Sequence, residues 1–331
     1  RSEAFFGFGS TEASATVELA EGERTSFAVE FVPAGPGWGG LVIGCRPPEP
    51  PNLEERALAL AREADAVVLV VGTDADWESE GHDRTTLQLP GGQDELVERV
   101  LAANPRTAVV VNAASPIAME WADQAAAVMQ VWFPGEELGN ALTDVLFGDV
   151  SPSGKLPTTI PERLEDTPAF NYYPGHDGKA EYGEGLLMGY RWYDTRGVEP
   201  HYPFGFGLSY TTFAFGEPVV STPVFRDGDT VTVDVTVPIT NTGERHGAEV
   251  VQCYVHDVEA LVERPEHELK AFARVVLEPG ETKPVTLTLD RRAFAYWGAA
   301  ARDWIVEPGE FELRIGASSR DIQHTVRVRC E

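Results

Sequence analysis

Cations are scarce in this sequence. Lys and Arg number 26 against 53 Asp and Glu, a formal charge of −27. So acidic a chain repels phosphate backbones and anionic lipid headgroups, which argues against nucleic acid and membrane partners and favours a soluble protein that resists self-association. Cysteine is nearly absent too: Cys45, Cys253 and Cys330 are odd in number, far apart and without metal-ligand spacing. That excludes a disulfide framework and a zinc module, and leaves the expectation of two small core residues and one near a terminus. No apolar run approaches the ~18 residues of a membrane-spanning helix. The first predicted strand of the central region is not followed by G-x-G-x-x-G, and G-x-x-x-x-G-K-[ST] does not occur, so the chain has no phosphate cradle of either kind.

What is present is ordinary globular material, 43% apolar and 24% charged over 331 residues, enough for two cores. Residues 1–46 alternate as β, through Thr16–Leu19, Phe27–Phe31 and the run LVIGC. Three or four such strands bury only part of a sandwich face. The stretch RPPEPPN, Arg46 to Asn52, is a stiff proline linker. Asn52 with Glu55 is placed as a capping pair, and Leu53, Ala57, Leu58, Leu60 and Ala61 give a helical apolar stripe. Strands then alternate with helices: strand 66–71, helix 93–103, strand 107–112, a short helix near 117–121, strand 126–132 and helix 136–146. Repeated units of this kind predict a parallel sheet with flanking helices. Residues 151–212 are rich in Pro, Gly and aromatics with little periodicity, and SGKLPTTIP is a candidate strand. From about 217 short alternating runs separated by DGD, NTGE and PGE turns predict a sandwich of roughly seven strands, immunoglobulin-like or fibronectin type III-like, with a structural role. The predicted organisation is therefore the end of a β-sandwich at 1–49, an α/β sandwich at 50–170, an aromatic connection at 171–215 and an all-β sandwich at 216–331.

Chemistry concentrates in GTDADWESEGHDR, Gly72 to Arg84, which leaves the sheet after a strand whose unbroken apolar run predicts burial on both faces. Ligands of open α/β sheets sit outside the carboxyl ends of such strands. Asp74, Asp76, Glu78, Glu80 and Asp83 crowd there with Trp77 and His82. One reading is a solvated acidic loop in an acidic protein. The other is that one glutamate is an acid/base catalyst beside an aromatic, Trp77, that stacks on a sugar face or raises a carboxyl pKa by desolvation. Tyr172, Tyr173, Tyr182, Tyr190, Trp192 and Tyr193 read either as packing anchors or as the lining of a sugar cleft.

Four stretches together are specific: WESEGHDRTTLQLPGGQDELVERV, VMQVWFPGEELGNALTDVLFGDVSPSGKLPTTIP, GYRWYDTRGVEPHYPFGFGLSYTTF and the run from ERPEHELKAFARV to RRAFAYW. Over residues 52–331 the chain resembles the carboxyl-terminal half of family 3 glycoside hydrolases, which include β-glucosidases and β-xylosidases. Residues 5–48 resemble the end of the protective-antigen-type sandwich that some of these enzymes insert in the α/β domain. The resemblance implies a retaining mechanism, in which one carboxylate attacks the anomeric carbon while an acid about 5–5.5 Å away protonates the leaving oxygen. It implies Glu80, in EGHDR, as that acid/base, with Glu78 the second candidate. Asp83 and Arg84 are expected to hold the loop. The family's nucleophile lies in a serine-aspartate-tryptophan tripeptide that this sequence lacks; Asp76-Trp77 and Asp303-Trp304 are lookalikes read as structural. The chain thus looks like a fragment, inactive alone, that supplies the acid/base to an oligosaccharide or aryl or alkyl glycoside. No cofactor or metal is implied, because carboxylates suffice for this chemistry. A noncatalytic carbohydrate-binding or scaffold protein of the same fold is the competing class. Few cysteines and no visible export segment lean towards the cytoplasm, and Arg1 is not a natural start.

Overall fold

The structure, a computed structural model, describes residues 13–30, 43–48, 50–74, 77–78, 83–228 and 231–331. The described part of the first segment carries no strand. Its alternating apolar residues stay in solvent, Val17, Phe27 and Val29 all more than half exposed, and a turn in which Glu23 N donates to Ala20 O is its one backbone bond. Alternation makes a strand only where a neighbour takes its backbone groups and covers one face. Neither is present among the described residues, and the remainder of the expected strands lies outside them.

Helix α1 (Leu53–Glu63) starts from Asn52, but the predicted capping pair does not form. Asn52 adopts φ 60°, a left-handed conformation, and its side chain caps nothing, since a capping side chain reaches the next turn only from extended backbone. The predicted apolar stripe is also narrower than expected: Leu58 and Ala61 are buried against Val100, whereas Leu53 and Leu60 are exposed. Strands β1 (Val67–Gly72), β2 (Thr107–Asn112) and β3 (Ala127–Gln130) form a parallel sheet in that order, linked through α2 (Gln93–Ala103). The doubly buried strand is β2, with Val109, Val110 and Val111 essentially inaccessible. Among the described residues strand β1 lies at the sheet edge, with Val67 and Leu69 towards α1 and α2 while Val68 and Val70 are half exposed. Among the described residues the expected burial on both faces is thus met at β2 and not at β1, whose Val68 and Val70 stay half exposed; a β-branched run fits either environment.

Residues 117–121 are not helical. Ala118 N donates to Leu87 O across to the preceding loop, and Trp121 is buried with its indole donating to Asp94. Five residues cannot offset the cost of helix nucleation against such tertiary partners. A single 3₁₀ turn follows at Ala122–Gln124. Helix α3 (Leu138–Phe147) ends on Gly148 at φ 83°, the left-handed closure that glycine tolerates best.

The predicted connection is more ordered than its composition suggested. Around Leu156 and Ile160 it pairs with residues 202–206 through Leu156 N to Phe206 O and an Ile160–Tyr202 bridge, and it contains helix α4 (Tyr190–Arg196). Tyr190 stacks on Phe204 at 4.6 Å and accepts a hydrogen bond from Leu269 N. Asp194 takes His267 Nε2 at 2.9 Å, both side chains buried, and also Arg320 Nε. Lys155 pairs with Glu249 at 2.8 Å. These contacts fasten the connection to the sandwich that follows.

That sandwich comprises β4 (Phe213–Phe215), β5 (Val219–Val220), β6 (Val224–Phe225), β7 (Thr232–Asn241), β8 (Gly247–Asp257), β9 (Glu268–Leu277), β10 (Thr282–Asp290), β11 (Tyr296–Gly298), β12 (Asp303–Ile305), β13 (Gly309–Gly316) and β14 (Ile322–Cys330), with helix α5 (Arg291–Phe294) after β10. One sheet runs β10-β7-β4 with β5 also on β7, the other β6-β14-β13-β8-β9. Their inward residues, among them Val233, Val235, Val237, Leu287, Leu289, Leu313 and Ile315, make one core. Cys253 and Cys330 lie in it, whereas Cys45 is exposed; all three are free thiols.

Gly72, the last residue of β1, is held so close to β2 that a Cβ there would lie 2.1 Å from the Asn112 carbonyl oxygen. Replacing it with alanine forces the strand ends apart. Gly72→Ala is expected to destabilise the α/β unit by about 1–3 kcal/mol, read as a lower urea midpoint, whereas Gly91→Ala, whose Cβ would meet nothing within 4 Å, pays chiefly for its left-handed φ of 65° and should cost less.

Candidate active site

Both ends of the loop after β1 are pinned. The Gln93 side chain, on the first residue of α2, accepts from Gly72 N and donates to Gly72 O and Pro90 O at 2.9–3.1 Å. Asp94 accepts from Leu89 N and from the Trp121 indole. Thr73 N extends the ladder to Asn112 O. Asp74 then starts a tight turn, its carbonyl accepting from Trp77 N and Glu78 N and its carboxylate from Trp77 N. The turn directs Glu78 back towards the sheet.

There the Glu78 carboxylate is surrounded by donors. Its Oε1 accepts from the Thr73 hydroxyl and from Ala114 N at 2.9 Å, and its Oε2 from Ser115 Oγ at 2.8 Å. Burial by itself raises the Glu78 pKa, but the hydrogen bonds from Thr73, Ser115 and the amides of Ala114 and Ser115 outweigh it and hold the carboxyl below its ordinary value. The Ser115 hydroxyl also accepts from Arg84 Nη1 at 2.8 Å, so it bridges the carboxylate and the guanidinium. Arg84 Nη1 further reaches Pro116 O, while its Nε and Nη2 are buried without a partner. Burial lowers the Arg84 pKa, and the Glu78 charge opposes that shift.

Arg84 therefore holds the loop by hydrogen bonding to Ser115, the second of the two ways, pairing or hydrogen bonding, expected of Asp83 and Arg84. Asp83 instead accepts from the Tyr173 hydroxyl, a bond that, ahead of burial, raises the tyrosine pKa. Trp77 is half-buried, and its indole nitrogen is buried with no acceptor. Glu80, Asp76 and His82 lie outside the described residues. Of the aromatic residues in the connection, Tyr190 and Tyr193 are packing anchors, Tyr182 is exposed, and Tyr173 meets the loop.

Beside Arg84 opens a cavity of about 360 Å³ lined by Ser115, Pro116, Thr159, Pro168 and Tyr193, large enough for a single small ring compound. It lies next to the carboxyl ends of β1 and β2, where the loops converge. Sequence reasoning missed Thr73, Ala114 and Ser115. The signal that could have found them is the run Asn112-Ala-Ala-Ser-Pro116 directly after the strand that neighbours β1. Among the described residues no group of three or more His, Cys, Asp or Glu is arranged to hold a metal ion.

Against known proteins, residues 5–210 match the glycosyl hydrolase family 3 C-terminal domain and residues 249–319 a fibronectin type III-like domain. The chain is 43% identical to a β-glucosidase of Rhizobium radiobacter over 99% of its own length and 41% of that protein's. It is 46% identical to the exo-α-(1→6)-L-arabinopyranosidase of Bifidobacterium breve, covering 86% of this chain and 37% of the relative. The crystal structure of the Bifidobacterium adolescentis family 3 β-glucosidase superimposes with a TM-score of 0.80 at 44% identity, over 86% of this chain and 42% of that one. The chain thus spans about two fifths of the length of the relatives it matches. A parallel α/β unit followed by a fibronectin type III-like sandwich, with this likeness along nearly its whole length, belongs to family 3 of the glycoside hydrolases.

Proposed function

We infer that this chain is the acid/base-bearing part of a retaining β-glucosidase-type hydrolase acting on terminal β-linked sugars. The observation that carries the inference is the acidic loop at the carboxyl edge of the parallel sheet, anchored through Glu78 and Arg84 on Ser115. In this reading residues 50–170 form the unit that carries the loop, 171–215 strap it to the sandwich of 216–331, and 1–49 end an inserted protective-antigen-type sandwich whose strands form against the rest of that insertion. The nucleophile is supplied from outside these 331 residues, because the sequence contains no Ser-Asp-Trp.

A general acid must hold a proton near neutral pH, which asks for a raised carboxyl pKa. Glu78 is lowered instead, and its oxygens are occupied by donors. A carboxylate so placed is an anchor for the loop. Glu80, two residues on, is then the acid/base: it protonates the glycosidic oxygen as the nucleophile attacks, and afterwards takes a proton from the water that releases the sugar. Trp77 offers an indole at the loop base for stacking on the substrate. The arabinopyranosidase among the relatives favours a second reading of the same chemistry, on another pyranose such as arabinose or xylose.

Hydrolysis of a panel of aryl β-glycosides by the full-length protein tests this. Glu80→Gln should lose about 10²–10⁴-fold on poorly activated substrates, lose less on activated ones, and regain turnover with azide, which attacks the glycosyl intermediate without a base. This chain alone should show none. Azide rescue of Glu78→Gln in its place moves the acid/base to Glu78. Sugar binding without turnover of any glycoside would instead favour the noncatalytic class.

Anchoring by Glu78 has a separate signature in stability. A folded-state pKa below the ordinary 4.5 means that its contribution is fully present above that value and is lost as pH falls through the folded pKa. The gap in melting temperature between wild type and Glu78→Gln, worth about 1–3 kcal/mol, should be constant from pH 8 to about 5.5 and shrink below 4.5. A gap that instead widens in acid rules out the anchoring role.

A further inference from the structure

The cavity beside Arg84 carries chemistry that the anchoring of the loop does not use. Of the guanidinium only Nη1 is engaged, on Ser115 Oγ and Pro116 O. Nε and Nη2 are closed to water and have no acceptor among the described residues. These two nitrogens make up one edge of the planar group, the edge that a carboxylate meets with two parallel hydrogen bonds. Buried donors without partners cost free energy in the folded state.

Two further polar groups belong to the same cavity. Thr159 is 5% exposed, and its hydroxyl is buried without a partner. Tyr193 is 3% exposed, and its hydroxyl makes no hydrogen bond among the described residues. Burial, and after it the charge of Asp166, raises the Tyr193 pKa, so that hydroxyl stays a donor. Asp166 itself pairs with Arg163 at 3.0 Å and lies outside the lining. Much of the remaining wall is apolar, with Leu87, Pro116, Pro161 and Pro168 around a volume of about 360 Å³. Among the described residues no carboxylate and no side-chain amide lines it.

That composition selects the ligand. A sugar hydroxyl donates as well as accepts, and a site for several of them needs strong acceptors. Here the strong polar group is a guanidinium edge, which calls for a ligand that only accepts. A small inorganic anion would meet the donors and leave the apolar wall uncovered. We propose that the cavity is a binding site for a small aromatic carboxylate, with the carboxylate on the Nε and Nη2 edge of Arg84 and the ring against Leu87, the prolines and Tyr193. One ring bearing one carboxylate suits the volume. Glu78 does not compete for this edge, because it meets Arg84 only through Ser115 on the Nη1 side. The carboxylate has two sources, a free acid or the leaving group of an aryl glycoside. The second rests on the acid/base reading and the first does not.

Calorimetric titration of this chain and of the full-length protein with benzoate, and with its neutral counterpart benzamide, tests the proposal. Benzoate should bind to both proteins about tenfold more tightly than benzamide. Arg84→Lys keeps the charge and loses the fork, so it should cut that preference to a few-fold. Because Arg84 also holds the loop, Thr159→Val and Tyr193→Phe supply a check outside it. Each should weaken benzoate several-fold at a melting temperature no lower than that of wild type, since each removes a hydroxyl without a described partner. Hydrolysis of para-carboxyphenyl and para-carbamoylphenyl β-glucosides by the full-length protein separates the two sources. Competitive inhibition by benzoate with a lower KM for the carboxyphenyl substrate marks the leaving group; benzoate binding with equal KM values marks a free acid. No binding of benzoate, equal affinity for benzoate and benzamide, an unchanged preference in Arg84→Lys, wild-type affinity in both hydroxyl variants, or binding to this chain that the full-length protein lacks overturns the proposal. The titration needs no turnover, so failure of this site and failure of the acid/base assignment are told apart.

Discussion

The close approach of Gly72 to the Asn112 carbonyl is the contact on which the candidate site rests. It lets β1 and β2 end side by side, so that the loop following each strand can exchange hydrogen bonds with the other. Thr73 and Glu78 come from the first loop, Ala114 and Ser115 from the second, and they meet within hydrogen-bond distance because the backbones were already in register. A side chain at 72 would separate the two loops by more than a hydrogen bond tolerates.

Charge is managed differently in the two halves of that network. Glu78 is stabilised as an anion by neutral dipoles, and Arg84 reaches it only through the Ser115 hydroxyl. Donors aimed at a carboxylate favour the ionised form as strongly as a cation does. The guanidinium is thus left with two buried nitrogens without partners beside the cavity. An acidic protein that uses amides and hydroxyls to hold its loop carboxylate keeps its few cations for elsewhere. Several of them join the sandwich to the residues before it: Lys155 on Glu249, Arg320 on Asp194 and Arg191 on Glu268. Removing one partner of the most buried of these, Lys155–Glu249, costs more than forming the pair contributes.

The same economy separates the aromatics. Tyr190, Tyr193, Tyr254 and Trp121 each pack inside the molecule, and Tyr190, Tyr254 and Trp121 also have a hydrogen-bond partner for the polar atom. Trp297, in contrast, is held by a rigid hairpin and turned to water.

Local pattern by itself determined much. The predicted strand at 107–112 and helix at 93–103 became β2 and α2 with those bounds, and the alternation of the last third became the sandwich. The acidic loop was visible as a cluster of like charges after an apolar run. Period and composition suffice where each residue's partners are close in sequence or repeat regularly. Only tertiary structure decided the rest. Thr16–Leu19 alternate as well as Val233–Val237 do, yet lack a neighbouring strand among the described residues. Asn52 looks like a cap but enters its helix left-handed. Within Ile117–Trp121 the Ala118 amide bonds to Leu87 in a distant loop, and Val68 and Val70 stay half exposed among the described residues although their run is as apolar as that of β2. Which carboxylate of the loop is an anchor was likewise illegible, since the donors that decide it, Ala114 and Ser115, lie 36 and 37 residues away in sequence and arrive only when two parallel strands pair.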